Sequence, residues 1–199
     1  MVRPVVTSLG VLGILAASAL SLRAANLRSV DSSALGTNRD LPWSEPVQIK
    51  DPFEGNFIGV FDRNYFYGRL LNTTARIEVQ SFWNPQSVRF LLVARDRDCI
   101  SQPFYDGSFP IGVCSELHTT RNIVELFLKI NDQVFQVAGK NSTFPINDEL
   151  AQALQAAPAG TVSIRLVTEN GETIDSEIGQ DTVKAWKTVY AAQTRRSAV

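Results

Sequence analysis

Val162-Ser163-Ile164-Arg165-Leu166-Val167-Thr168 is followed by Glu169-Asn170-Gly171-Glu172 and then by Thr173-Ile174-Asp175-Ser176-Glu177-Ile178. In the first run Val162, Ile164, Leu166 and Thr168 share a face. In the last run Ile174, Ser176 and Ile178 do. Side chains two apart lie on one side of a strand, so both runs read as strands with one buried and one wet face. Asn170-Gly171 between them is the strongest short-range signal for a two-residue hairpin turn.

The same pattern extends through the chain. Ile123 to Ile130 alternates, with Val124, Leu126, Leu128 and Ile130 on one face, and Asn131-Asp132 separates it from Gln133 to Val137. Asn and Asp tolerate positive φ, so this is a second predicted hairpin. Upstream, Val47-Gln48-Ile49 opens a first strand. Phe57 to Phe61 and Tyr65 to Leu71 read as a pair joined around Asp62-Arg63-Asn64. Arg76 to Gln80 alternates, and Val88 to Ala94, broken only by Arg89, reads as a central strand buried on both faces.

Two helices interrupt the strands. Asn147 can cap a helix from Asp148 to Ala157, whose Leu150, Leu154 and Ala157 share a face, with Pro158 and Gly160 beyond its end. Asp181 can cap another running to about Gln193, with Val183, Trp186 and Tyr190 as its apolar stripe. The expected fold is mainly β: a single antiparallel sandwich or open barrel of about 8–9 strands with one internal and one C-terminal helix. The C-terminal helix should cover an open edge or face, anchored by Trp186.

The N-terminus suggests where the protein goes. Arg3, an apolar run from Val5 to Leu20 and the small residues Ala19 and Ser21 follow the order of an export signal. The run is about sixteen residues, short of the roughly 20 that a spanning helix needs. Cleavage is expected after Ser21, with Ala24 the alternative. Residues 22–45 lack apolar periodicity and read as a linker, 46–193 as the β-rich domain and 194–199 as a tail. The predicted location is periplasmic or extracellular, with a lumenal compartment open as well, and no membrane span is expected in the mature chain.

Composition narrows the function classes. Nineteen basic residues stand against twenty acidic ones in 199 residues. That interspersed, near-neutral balance gives no footprint for nucleic acid. Cys99 and Cys114, an isolated pair in an exported chain, read as a disulfide closing a loop that holds Pro103, Gly107, Pro110 and Gly112.

No convergent catalytic set stands out. His118 is the only histidine and falls in what reads as a polar turn. Phosphate loops, dinucleotide fingerprints and zinc spacings are absent, so no cofactor or metal is expected. Asp96 and Asp98 flank Arg97 and read as a charge-paired strand end, although two carboxylates on one face could bind calcium or serve a hydrolase. Asn72-Thr73-Thr74 and Asn141-Ser142-Thr143 match the N-glycosylation acceptor.

Aromatic residues are the remaining candidates. Trp83 lies at a strand end, Tyr105 in the cysteine loop and Tyr67 in the Tyr65-Phe66-Tyr67 run. Rings so placed can stack on sugars or dock a protein. The leading expectation is an exported, non-catalytic domain that binds an envelope or extracellular protein. A carbohydrate-binding module using Trp83, Tyr105 and Tyr67 is the alternative, and a carboxylate-dependent hydrolase comes third.

Overall fold

The computed structural model describes residues 27–37, 39–70, 73–101 and 112–191. The side chains of residues 70, 73, 96–101 and 112–117 fall outside that description, as do residues 1–26, on which the expected export signal falls, Tyr105, and residues 192–199. Two open sheets face each other. The larger runs in the order β1 (Ser29–Val30), β2 (Pro46–Asp51), β3 (Gly55–Leu70), β4 (Thr73–Trp83), β5 (Ser87–Ser101), β6 (Gly112–Arg121), with β9 (Thr143–Pro145) also paired to β5. The smaller has the order β11 (Thr173–Ile178), β10 (Val162–Thr168), β7 (Ile123–Ile130), β8 (Gln133–Ala138). Every pairing is antiparallel except the two-residue β1 on β2.

Alternation puts the core between the sheets. Ile77, Val79 and Trp83 of β4 face Leu126 and Leu128 of β7 and Ile164 and Leu166 of β10 in one apolar cluster. The helices α1 (Asp148–Gln155) and α2 (Gln180–Tyr190) add Leu150, Leu154, Val183, Trp186 and Tyr190 to it. The rings of Trp83 and Trp186 lie 4.7 Å apart. The C-terminal helix is therefore anchored by Trp186 as its apolar stripe implies.

Several local expectations give way to tertiary partners. Asp62-Arg63-Asn64 is not a turn but the middle of the 16-residue strand β3. Each polar side chain there has its own partner. Asp62 accepts from Thr182, Arg63 lies over Trp43 and Tyr65, and Asn64 donates to Ser176 Oγ.

The Asn170-Gly171 hairpin forms, but with Gly171 alone at positive φ (79°) and a Gly171 N–H to Thr168 O bond of 2.9 Å. This is a longer loop than the two-residue turn predicted. His118 sits in β6 opposite Arg95, not in a turn. Asn147 caps α1 through its side chain, accepting from the Leu150 N–H at 2.8 Å. The N-cap of α2 is Gly179, and Asp181 lies inside the first turn.

The segment read as a linker is, from residue 27 onward, largely part of the fold. Val30, Leu35, Leu41 and Trp43 pack with Val47, Ile49, Phe57, Phe61 and Phe82 in a second apolar cluster. These lie on the opposite side of β3 and β4 from the main core. The apolar residues are sparse and unperiodic because the segment crosses a sheet face as a strap without forming a long element of its own. The strap therefore covers one half of the outer face of the larger sheet, and among the described residues the other half is open, with Tyr67, Arg69, Arg76 and His118 exposed.

Candidate functional site

The open half is built by alternate residues of four adjacent strands. β3 contributes Arg63, Tyr65, Tyr67 and Arg69; β4 contributes Arg76, Glu78 and Gln80; β5 contributes Arg95; β6 contributes His118. Among the outward residues of these strands whose side chains are described, Glu78 is the only acid.

Glu78 organises the inner side of this face. Its side chain is fully buried. Oε1 accepts from Gln80 Nε2 at 2.7 Å and from Tyr65 Oη at 3.1 Å. Oε2 accepts from Arg95 Nη2 at 2.8 Å. Gln80 ties the network to the strap: the Gly36 N–H donates to Gln80 Oε1 at 3.0 Å, and Gln80 Nε2 donates to Gly36 O at 3.1 Å. A buried carboxylate is tolerable only when paired and hydrogen-bonded, and here each oxygen is. Burial first, and then the nearby Glu78 charge, push the Tyr65 phenol above its usual range.

Outside this network runs a rung of cationic and aromatic groups. Tyr67 pairs with Arg76, Arg76 with Arg95 and Arg95 with His118 across β3 to β6. Arg76 and His118 are exposed, and Tyr67 is 79% exposed. Arginines directly opposite one another repel. Arg95 has a carboxylate partner in Glu78, and its Nε has no hydrogen-bond partner in the structure. Arg76 lies over the Tyr65 ring at 4.5 Å, and Arg63 lies over Trp43 at 4.5 Å and over Tyr65 at 5.0 Å. The rings hold the guanidiniums in place and leave their charge uncompensated.

The candidates named from sequence fall in different places. Trp83 is fully buried, its Nε1 donating to Ser81 Oγ at 2.7 Å and its ring against Trp186 and Phe90. Trp83 is thus corrected from surface candidate to core residue: its alternation points it between the sheets, and no face is left for a ligand. Tyr105 lies outside the described residues. Tyr67 is on the open face. Cys99 and Cys114 occupy directly opposed positions on β5 and β6, with their side chains outside the described ones, as are those of Asp96 and Asp98. Asn141 is exposed in a tight turn, and Asn72 is not described. Among the described residues, no three His, Cys, Asp or Glu side chains gather as metal ligands, and no helix is long and apolar enough to cross a membrane.

A second buried carboxylate escaped the sequence reading. Asp62 is 3% exposed and accepts from Thr182 Oγ1 at 2.6 Å and from the Gly179 N–H at 3.3 Å. Ser44 Oγ of the strap lies 3.1 Å from the same hydroxyl. Asp62 thus supplies, from a distant strand, the cap that α2 lacks locally. Burial pushes its carboxyl up to about 6, against the opposing effect of the two donors. Its role is to join strap, strand and helix, and it lies on the other side of β3 from the open rung.

Comparison with protein-family models, with curated proteins and with solved structures returns no match. The functional reading therefore rests on this chain's own geometry.

Proposed function

We propose that this chain is an exported, non-catalytic binding domain that docks a protein partner through acidic side chains on the open half of its larger sheet. The observation that carries this reading is the Tyr67–Arg76–Arg95–His118 rung. It places like charges side by side, at a cost to the fold, in a chain whose overall charge is only −1. A partner's carboxylate would neutralise Arg76, since the guanidinium fork matches carboxylate geometry, whereas Arg95 already has Glu78. The ring of Tyr65 is already engaged by two arginines. Tyr67 is then the one strongly exposed ring of the face, which favours a protein over a sugar platform.

Export and the disulfide belong to the same proposal. In an antiparallel ladder, directly opposed Cα atoms lie roughly 4.5 or 5.5 Å apart. Both values fit a disulfide, which spans roughly 4.4–6.8 Å. The Cys99–Cys114 register meets that condition, and an oxidising compartment would close the bond.

The test is titration of a labelled oligoglutamate peptide into the protein at low and at physiological salt, with polygalacturonate as a parallel probe. The expected result is salt-sensitive peptide binding that is lost in Arg76→Glu. Binding of polygalacturonate alone would replace the protein partner with an acidic polysaccharide. Binding of neither, or peptide binding indifferent to Arg76→Glu, would overturn the proposal.

A further inference from the structure

The strap and the open face meet at the side chain of Gln80, which is fully buried. On one side the Gly36 N–H donates to Gln80 Oε1 at 3.0 Å, and Gln80 Nε2 donates to Gly36 O at 3.1 Å. On the other side Nε2 donates to Glu78 Oε1 at 2.7 Å. Gly36 thereby fixes which way the amide points. The Gln80 oxygen meets the one donor of Gly36, so both protons of its NH2 group are turned to acceptors, Gly36 O and Glu78. The opposite flip would set the Gln80 oxygen against the oxygens of Gly36 and Glu78.

That orientation passes through Glu78 to the arginines. Glu78 Oε1 is filled by Gln80 and Tyr65, and Arg95 is held by one bond from Nη2 to Oε2. Tyr65, fixed through its hydroxyl, carries the guanidiniums of Arg63 and Arg76 on its ring. Arg63 also lies over Trp43 of the strap itself. Hydrogen bonds in series polarise one another, so donation to the Glu78 carboxylate makes Gln80 Oε1 a better acceptor for the Gly36 N–H.

We propose that Gln80 is a positioning residue through which the docked strap holds the arginine face in its binding geometry. This rests on the binding role given above to that face, and names what regulates it. A strap lifted from Gln80 leaves the amide free to turn and lets water reach Glu78, so Tyr65 and the arginines on its ring lose their fixed places. A face already ordered binds more tightly, because less ordering remains to be done on association. Coupling of this kind is reciprocal, so a bound partner holds the strap down. The outer part of the strap is built to open: β1 has two residues, and Val30 and Leu35 are half-buried, whereas Leu41 further along is buried.

The test is amide hydrogen exchange of the isotope-labelled full chain with and without saturating oligoglutamate peptide, beside peptide titrations of the wild type and Gln80→Met. Methionine keeps the length of the side chain and removes every hydrogen bond of the amide. The peptide is expected to bind Gln80→Met about tenfold more weakly, and to slow exchange of the Gly36 amide in the wild type by a similar factor. Gln80, where Gly36 docks, lies roughly 13 Å along β4 from Arg76. In Gln80→Met the Gly36 amide should exchange fast and ignore the peptide. Urea unfolding checks that the variant is folded; if it is not, Gln80→Asn, too short to bridge both partners, takes its place. Unchanged affinity in the folded variant would overturn the inference and leave the binding role standing. So would a wild-type Gly36 amide indifferent to the peptide, or slowing that persists in the variant, which would be cover by the peptide itself. A wild type that does not bind the peptide at all would overturn both.

Discussion

Glu78 and Asp62 show how this chain uses buried charge in two ways. Glu78 is matched by Arg95, Tyr65 and Gln80, so removing it leaves several donors without an acceptor. Glu78→Ala is expected to cost about 3–5 kcal/mol, the usual penalty for breaking a buried pair. Denaturant unfolding measures this, and a loss under about 1 kcal/mol would mean the network is solvated. Asp62 has hydroxyl and amide donors but no cation bonded to it. Its folded-state pKa of about 6 lies above the ordinary 3.8. The native state therefore holds the proton more tightly than the unfolded chain. Its contribution to stability is fully present below about pH 4 and is lost as pH rises through 6, a change of about 3 kcal/mol. Asp62→Asn keeps an acceptor for Thr182 and removes the titration. The variant should lose this part of the slope between pH 4 and pH 7. A wild-type slope retained in the variant would assign the effect to other groups.

At the scale of elements, local chemistry decides turns and caps. Gly171 holds φ 79° with no heavy atom near its missing Cβ, so Gly171→Ala costs backbone strain of about 1 kcal/mol and no clash. Asn147→Ala should cost about 1 kcal/mol through the lost cap of α1. Urea midpoints of the two variants check both figures. Strands β7, β8, β10 and β11 and helix α1 were legible because alternation, turn residues and cap all lie within a dozen positions. The long strand β3 was not legible, because what makes Asp62-Arg63-Asn64 extended lies on α2, the strap and β11. The strap was hidden for the same reason: its apolar residues answer to the spacing of a sheet face and not to a period of their own. Trp83 read as a terminal, exposable ring because a sequence does not reveal which side of a strand will be covered by a helix a hundred residues later.

On the scale of the whole molecule, the two sheets divide the work. One face of each builds the common core, the strap covers half of the larger sheet's other face, and the remaining half concentrates arginines that the net charge conceals. The composition correctly suggested no strongly basic protein, yet the register gathers Arg63, Arg69, Arg76 and Arg95 on one side of β3 to β5. Binding there should weaken with ionic strength, because rim charges act through screened fields. The most direct test follows backbone amide shifts of the labelled protein during titration with the oligoglutamate peptide. The account predicts perturbations that centre on Tyr67, Arg76, Arg95 and His118 and fade across the strap. Perturbations centred instead on the outer face of the smaller sheet, around Phe127 and Arg165, would contradict it.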